Sequence, residues 1–148
     1  MSSLSVLVVE DYEPFRRFIC STLGKRTELK VICEASDGLE AVQKAEELQP
    51  SLILLDIGLP TLNGIEAACR MSRLVPAARI LFVSQNNDAD VVTAALSNGA
   101  KGYVRKENAQ TDLLPAVEAV LRGDRFVSGG LHTEGLPQAR PQHVASWV

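Results

Sequence analysis

The sequence predicts an α/β fold in which a doubly wound parallel sheet carries helices on both faces. Five short runs rich in Val, Ile and Leu are continuous, which is typical of strands buried on both sides. Five longer segments between them carry apolar residues at three- and four-residue spacing, which is typical of helices with one buried face. The strict alternation of these segments predicts parallel strands joined by helical crossovers.

The predicted strands are short and run parallel to one another. They cover residues 6–9, 31–35, 52–55, 80–83 and 102–104. Four of them run directly into polar or charged residues, in the stretches VVEDY at 8–12, LLDIGLP at 54–60, LFVSQ at 81–85 and GYVRK at 102–106. Because parallel strands end at the same edge of a sheet, we expect these side chains to gather there.

The predicted helices alternate with the strands, and several have recognisable ends. They cover residues 14–23, 38–48, 64–74, 89–97 and 111–121. Asp37 and Thr111 lie where an N-cap would start a helix. Gly24, Gly99 and Gly123 lie where a residue in the left-handed conformation would end one.

This order of elements favours a flavodoxin-like (βα)5 fold with strand order 2-1-3-4-5, in which the first and third strands are neighbours. We expect the domain to span residues 1–123. After Gly123 the chain becomes rich in Gly and Pro and loses its helical period. Residues 124–148 are therefore predicted to be a flexible extension or the start of a linker, too short for a second domain.

Composition argues against several classes of function. The chain has 148 residues and a net charge of −3, which predicts no direct nucleic acid binding and no membrane contact. No apolar run is long enough to span a bilayer, so we expect a cytoplasmic location. Cys20, Cys33 and Cys69 are odd in number and widely spaced. They argue against disulfides or a zinc site and favour buried thiols.

Three carboxylates follow the first and third predicted strands. Glu10 and Asp11 come after the first strand, and Asp56 ends the third. Three like charges at neighbouring strand ends require a cation, and oxygen ligands without His or Cys favour Mg²⁺. Gly58 and Pro60 leave little bulk around Asp56, which suits a carboxylate nucleophile that forms an aspartyl phosphate.

The fourth and fifth strands add two groups that bind anions. Ser84 ends the fourth strand and offers a hydroxyl, and Lys106 follows the fifth and offers an ammonium. Phosphoryl transfer depends mainly on positioning and charge neutralisation. These residue types at one sheet edge therefore indicate a site for a metal-bound phosphoryl group.

Taken together, these residues resemble the receiver domain of two-component response regulators over roughly residues 4–122. The string DIGLPTLNG at 56–64 is the most specific part, and the set consists of Glu10, Asp11, Asp56, Ser84, Tyr103 and Lys106. The resemblance implies that Asp56 accepts a phosphoryl group from a sensor histidine kinase, a phosphotransfer protein or a small phosphodonor.

The resemblance also implies a role for each remaining residue. Asp11, Asp56 and the main-chain carbonyl of Gly58 would hold Mg²⁺, with Glu10 acting through water. Lys106 would contact the phosphate, and Ser84 and Tyr103 would form a switch pair in which the tyrosine ring turns inward after phosphorylation. The surface of the fourth helix, fifth strand and fifth helix would then change and control a downstream protein or an attached output domain. Homodimer formation stays open.

Departures from the family pattern concern the rim of the site. Glu107 follows Lys106 where many receivers have proline, and Gln85 stands where small residues are common. Gly58 and Asn86 flank the site without charge, which leaves little to activate an attacking water. The pattern therefore predicts slow autodephosphorylation.

Other interpretations remain open at this point. A degenerate receiver that acts as a constitutive interaction module is the main alternative, although Asp56 and Lys106 are both present. A haloacid-dehalogenase-like phosphatase needs a second aspartate where Gly58 stands, and a flavodoxin needs donors rather than acids after the first strand. Residues 113–128 resemble the exit of receivers joined to LuxR-type helix-turn-helix domains. The chain is then either a free-standing receiver or the N-terminal piece of a longer protein.

Overall fold

A six-stranded parallel sheet forms the centre of the protein in the computed structural model, which describes residues 3–129. The strands are β1 (Leu4–Val9), β2 (Leu29–Ala35), β3 (Leu52–Leu55), β4 (Arg79–Ser84), β5 (Ala100–Arg105) and β6 (Phe126–Val127). Their order across the sheet is β2-β1-β3-β4-β5-β6. The predicted order 2-1-3-4-5 is confirmed, and β6 extends it by one strand beside β5.

Five helices cover the two faces of this sheet. They are α1 (Glu13–Leu23), α2 (Gly38–Leu48), α3 (Gly64–Leu74), α4 (Ala89–Ser97) and α5 (Ala109–Leu121), and a single 3₁₀ turn (Lys106–Asn108) precedes α5. Helices α2, α3 and α4 pack with Leu7 and Val9 on one face. Helices α1 and α5 pack with Val6 and Val8 on the other. Successive strand residues thus serve opposite cores, which explains why the strand runs are apolar throughout.

Several predicted helix ends are confirmed and two are wrong. The Asp37 side chain accepts from the Glu40 amide at the start of α2, as a capping residue should. Gly99 and Gly123 have positive φ angles of 103° and 94°. Gly24 instead stays right-handed, with φ of −63°. Thr111 lies inside α5, because this helix begins two residues earlier with Asn108 as its N-cap.

The strand β6 has no counterpart among the predicted elements. It lies within the segment predicted as an extension, whose described part is residues 124–129 and whose remainder, 130–148, lies outside the described residues. Its residues Phe126 and Val127 pair in parallel with Gly102 and Tyr103 of β5. An isolated two-residue run gives no periodicity, so only the neighbouring strand edge defines this element.

The three cysteines form no disulfide. Cys20, Cys33 and Cys69 are free thiols, but they are half-buried rather than buried as expected. Cys20 and Cys33 are partly buried residues that pack against the two cores. Across residues 3–129, no helix combines the length and apolar character needed to cross a bilayer.

Candidate functional site

The carboxyl ends of β1 and β3 bring the three acids together. Val9 is in register with Leu55, and the Asp56 amide donates to the Val9 carbonyl at 3.2 Å. This pairing places the residues that follow the two strands side by side. Ligand oxygens of Glu10, Asp11 and Asp56 all lie within 4.8 Å of one another.

A cavity of about 370 Å³ opens at this edge of the sheet. Five of the six predicted site side chains line it, together with the predicted Gly58. Its lining comprises Glu10, Asp11, Tyr12, Asp56, Ile57, Gly58, Ser84, Gln85, Asn86 and Lys106. The sixth, Tyr103, lies behind this lining and reaches it through Asn86.

Asp56 is held at the floor of the cavity. Its Oδ1 accepts from the Ile57 amide at 2.7 Å, and its Oδ2 accepts from the Lys106 ammonium at 3.0 Å. The start of α3 packs directly against its backbone, since a Cβ on Gly64 would lie 1.9 Å from the Asp56 carbonyl oxygen. The glycine eight residues after Asp56 is therefore required by close backbone approach.

Lys106 joins the two most buried acids. Its Nζ lies 2.7 Å from Glu10 Oε1 and 3.0 Å from Asp56 Oδ2, and 4.8 Å from the centre of the Phe15 ring. Burial raises the pKa of Glu10, although the bond to Lys106 opposes it. Burial would lower the pKa of Lys106, but the hydrogen bonds to Glu10 and Asp56 outweigh it and raise that pKa. The ammonium therefore neutralises part of the acidic cluster.

Ser84 and Tyr103 meet at the backbone of Asn86. The Ser84 Oγ accepts from the Asn86 amide at 3.1 Å, and the Tyr103 hydroxyl donates to the Asn86 carbonyl at 2.6 Å. The Tyr103 ring is fully buried beside Phe82, with ring centres 6.1 Å apart. Burial raises the pKa of Tyr103 to about 12. The tyrosine ring thus already occupies an inward position.

Two residues of this region, Phe15 and Ser128, were missed by sequence reasoning, and a third, Asn86, was expected beside the site but without its backbone role. Phe15 gives only an apolar helical period, which does not distinguish a core residue from one that contacts Lys106. Asn86 acts through its backbone, which carries no residue-type signal. Ser128 lies on the far side of β5, where its Oγ accepts from the Arg105 amide at 3.1 Å.

The donor set of the acidic cluster fits Mg²⁺. Carboxylate oxygens are the ligands that this ion prefers, and the cavity has room for the waters that it retains. Asp11 is exposed and Asp56 opens to the cavity, so both are accessible as direct ligands. Glu10 is 1% exposed and is already engaged by Lys106, which suits an indirect contact better than direct ligation.

Residues 6–118 match the family described as the response regulator receiver domain. The chain belongs to this family, and it contains a receiver domain of a two-component response regulator rather than a classical enzyme. The fold, the sheet-edge cavity and the acidic cluster agree with this assignment.

Comparison with known proteins places the relatives among transcriptional response regulators. The chain is 31% identical over 126 residues to the transcriptional regulatory protein DegU of Brevibacillus brevis, covering 85% of this chain and 53% of that protein. It is 32% identical to the nitrate/nitrite response regulator NarL of Escherichia coli K12, covering 86% and 59%. The chain thus spans between half and three fifths of the length of these two relatives.

Solved structures give the same result. A LuxR-family two-component response regulator from Aurantimonas sp. SI85-9A1 superposes with a TM-score of 0.80 and 28% identity, covering 98% of this chain and 95% of that one. The response regulator domain of Thermotoga maritima CheB gives a TM-score of 0.74 and 31% identity, covering 81% and 97%.

Proposed function

We propose that the protein is a phosphorylation-activated switch that accepts a phosphoryl group on Asp56. The observation that carries this proposal is the position of Asp56 in an open cavity, between an acidic cluster and the Lys106 ammonium. Its donors are a phosphohistidine of a sensor histidine kinase or phosphotransfer protein, and small acyl phosphates. A partner protein or an attached output domain recognises the phosphorylated form.

The reaction is a displacement at phosphorus. A carboxylate oxygen of Asp56 forms the new P–O bond while the P–N bond of phosphohistidine, or the P–O bond of an acyl phosphate, breaks. The leaving imidazole or carboxylate takes the bonding electron pair. Lys106 neutralises developing charge on the phosphoryl oxygens, which is the main contribution that phosphoryl transfer asks of a protein.

Mg²⁺ would be held by Asp11, Asp56 and the Gly58 carbonyl, with Glu10 acting through water. When bound, this ion neutralises the cluster and orients the phosphoryl oxygens. Gly58 lines the cavity, and nothing lies within 4 Å of the position of a Cβ there. This open space supports approach to its backbone.

The switch runs through the loop that carries Asn86. A phosphoryl group adds acceptor oxygens for the Ser84 hydroxyl, which now accepts from the Asn86 amide. When this hydroxyl turns, the Asn86 amide loses its acceptor, while the Asn86 carbonyl keeps the bond from Tyr103 and its side-chain oxygen keeps the bond from the Asp88 amide. The loop before α4 is then held by fewer bonds and can shift. The buried Tyr103 ring supports a resting state that is already partly switched, so phosphorylation shifts a population rather than creating a new state. The surface of α4, β5 and α5 carries the output.

The remaining features of this proposal concern context. We infer a cytoplasmic location and partners that are proteins rather than nucleic acid or membrane. The predicted division into a domain of residues 1–123 and a following extension or linker stays a proposal, and β6 lies beyond that boundary and pairs with β5. The net charge of −3 supports the choice of partners. Homodimer formation would be one route to output.

The test is the intact mass of the protein after incubation with acetyl phosphate and Mg²⁺. Wild type should gain one phosphoryl group, and Asp56→Asn should gain none while keeping its fold by circular dichroism. Labelling of Asp56→Asn to the wild-type level would place the acceptor elsewhere.

A constitutive interaction module is the second candidate, and the inward Tyr103 ring is the observation that favours it. Wild-type protein that binds Mg²⁺ but takes no phosphoryl group from acetyl phosphate or from histidine kinases would establish this alternative.

The phosphorylated form should be long-lived. Gly58 adds no side chain to the cavity, and the Asn86 side-chain oxygen accepts from the Asp88 amide, so neither residue offers a base for an attacking water. Rapid decay of purified phosphoprotein in the presence of Mg²⁺ would contradict this expectation.

A further inference from the structure

The chain after α5 returns to the sheet beside the strand that carries Tyr103. Val127 of β6 is in register with Tyr103, and the Ser128 amide donates to the Tyr103 carbonyl at 2.9 Å. Val127 is 1% exposed and Ser128 is fully buried. This segment is therefore packed as part of the domain and does not lie loosely over it.

The Ser128 side chain connects β5 to α5. Its Oγ accepts from the Arg105 amide at 3.1 Å and donates to Asp112 Oδ2 at 2.9 Å. The hydroxyl thus uses both its donor and its acceptor capacity. Because the residue is buried, water cannot replace these bonds if the hydroxyl is removed, and the Arg105 amide would lose its partner.

Two bonds of Ser128 lie next to functional residues, namely Tyr103 in β5 and Lys106 directly after it. Arg105 is the last residue of the strand, and Lys106 follows it directly. Ser128 therefore holds the carbonyl of Tyr103 and the amide that immediately precedes Lys106. The Ser128 side chain thus ties the end of β5 to the chain beyond α5.

We propose that Ser128 is a positioning residue that fixes the end of β5 and couples the chain after α5 to phosphorylation of Asp56. This inference rests on the proposed function, because its signal is the new phosphoryl group. The Lys106 ammonium is shared between Glu10 and Asp56, and added phosphoryl oxygens would hold it more firmly. The tighter end of β5 is transmitted to β6 through the two hydrogen bonds that join Ser128 to Tyr103 and Arg105 of β5. Coupling between two sites is reciprocal, so the state of β6 also biases the phosphorylated state.

A purely structural tie is the competing explanation. In that case Ser128 would support the sheet edge equally with and without a phosphoryl group. The two explanations differ in whether β6 responds to phosphorylation, and in whether that response needs the Ser128 hydroxyl.

Residue-resolved amide hydrogen exchange by NMR tests the difference in the full chain with Mg²⁺, before and after addition of acetyl phosphate. The variant is Ser128→Ala, and Ser21→Ala, at an exposed position of α1, is the matched control. In wild type and in the control, exchange of the Val127 and Ser128 amides should slow by about fivefold after phosphorylation.

The Ser128→Ala protein should show a specific pattern. Its Arg105 amide should exchange about tenfold faster before phosphorylation, because one buried hydrogen bond is lost. Residues 127 and 128 should no longer respond to acetyl phosphate, although Asp56 still gains one phosphoryl group per chain. Its Mg²⁺ affinity should stay within about twofold of wild type, since the acids follow β1 and β3 and share no contact with Ser128.

Three results would overturn the inference. A wild-type response in Ser128→Ala would show that the hydroxyl carries no coupling. If Ser128→Ala lost both its Mg²⁺ affinity and its hydrogen-exchange protection throughout the sheet, Ser128 would only stabilise the fold. Wild-type protein that gains no phosphoryl group would overturn the proposed function, and this inference with it, and intact mass distinguishes that failure from the other two.

Discussion

Lys106 has more partners than a phosphate contact alone would require. Its ammonium lies against Glu10, Asp56 and the Phe15 ring. The site therefore relies on this cation to relieve repulsion between two acids that are largely removed from solvent. Removal of one partner from such a buried cluster lowers the free energy of unfolding by more than the intact cluster contributes to it, because the remaining charges are left without compensation.

We expect Lys106→Ala to lower the free energy of unfolding by about 2–3 kcal/mol in Mg²⁺-free buffer, because Glu10 and Asp56 lose their shared cation. Added Mg²⁺ should restore part of this loss, since it would neutralise the same acids. Urea denaturation with and without Mg²⁺ measures both effects. Lys101→Ala, at an exposed position of β5, is the control. Equal stability of Lys106→Ala and wild type without Mg²⁺ would contradict the prediction.

The Tyr103 phenol gives the protein a pH dependence at high pH. Its pKa in the folded state is about 12, above the ordinary value of 10.0, so the unfolded chain releases this proton first as pH rises. Stability should therefore fall between pH 10 and about 12, by roughly 2–3 kcal/mol from this group.

Ultraviolet absorbance of phenolate follows the titration directly, because the chain has two tyrosines. Tyr103→Phe should remove the transition near 12 and flatten the alkaline loss of stability. Tyr12→Phe, at the exposed tyrosine, should keep both. Persistence of the late transition in Tyr103→Phe would assign it to another group.

At the scale of elements, the junction between β3 and α3 depends on two glycines with opposite requirements. A Cβ on Gly64 would lie 1.9 Å from the Asp56 carbonyl oxygen, but one on Gly58 would meet nothing within 4 Å. The start of α3 is packed against the Asp56 backbone, and the position of a Cβ on Gly58 in the loop between them is open.

We expect Gly64→Ala to lower the free energy of unfolding by about 2–3 kcal/mol and to impair phosphorylation, because α3 must move away from Asp56. Gly58→Ala should change stability by less than about 0.5 kcal/mol and keep phosphorylation, since its carbonyl is unaffected. Chemical denaturation and labelling by acetyl phosphate measure the pair. Equal effects of the two substitutions would show that close approach at Gly64 is not the constraint.

The elements that sequence predicted well are those with a strong local signal. The bounds of α2, α3, α4 and β3 agree with their predicted ranges, because helical periodicity defines the three helices and polar residues flank β3 at both ends. The strand β6 was missed because two apolar residues carry no period. Its position depends on the free edge of β5, which is a property of the assembled sheet.

Some residues of the candidate site could be predicted from the sequence, and others could not. Strand-end acids, Ser84 and Lys106 could be placed together from topology alone, since parallel strands share an edge. The ring under Lys106, the backbone of Asn86 and the hydroxyl of Ser128 could not be placed, because they act through three-dimensional contact rather than through residue type. The tyrosine ring was expected to turn inward on phosphorylation, and the structure already has it buried.

For the whole molecule, an experiment can decide whether the folded domain ends at Gly123 or includes β6. A chain that ends at Gly123 keeps all five helices but lacks β6 and the bonds of Ser128. We expect it to be less stable than a chain ending at Gly129 by roughly 2–4 kcal/mol, from lost burial and hydrogen bonds. It should also aggregate more readily, because the β5 edge is exposed.

Thermal denaturation and light scattering compare the two chains. Equal stability and equal solubility would place the boundary at 123 and make β6 dispensable. A clear loss would extend the folded unit to include residues 124–129.

The residues of the site come from strands that are distant in the sequence, so the order in which the chain is synthesised matters for the site. Lys106 and Asp56 are 50 positions apart, and the strands that carry them are separated by β4. The site is thus assembled from long-range contacts, which form late in folding because their loop closure is costly. A growing chain that has been made only as far as β3 holds the acids without their ammonium. If Asp56 is the acceptor, as proposed above, transfer to it is confined to chains in which β5 has paired, and a newly made protein would become responsive to a histidine kinase only once β5 has joined the sheet.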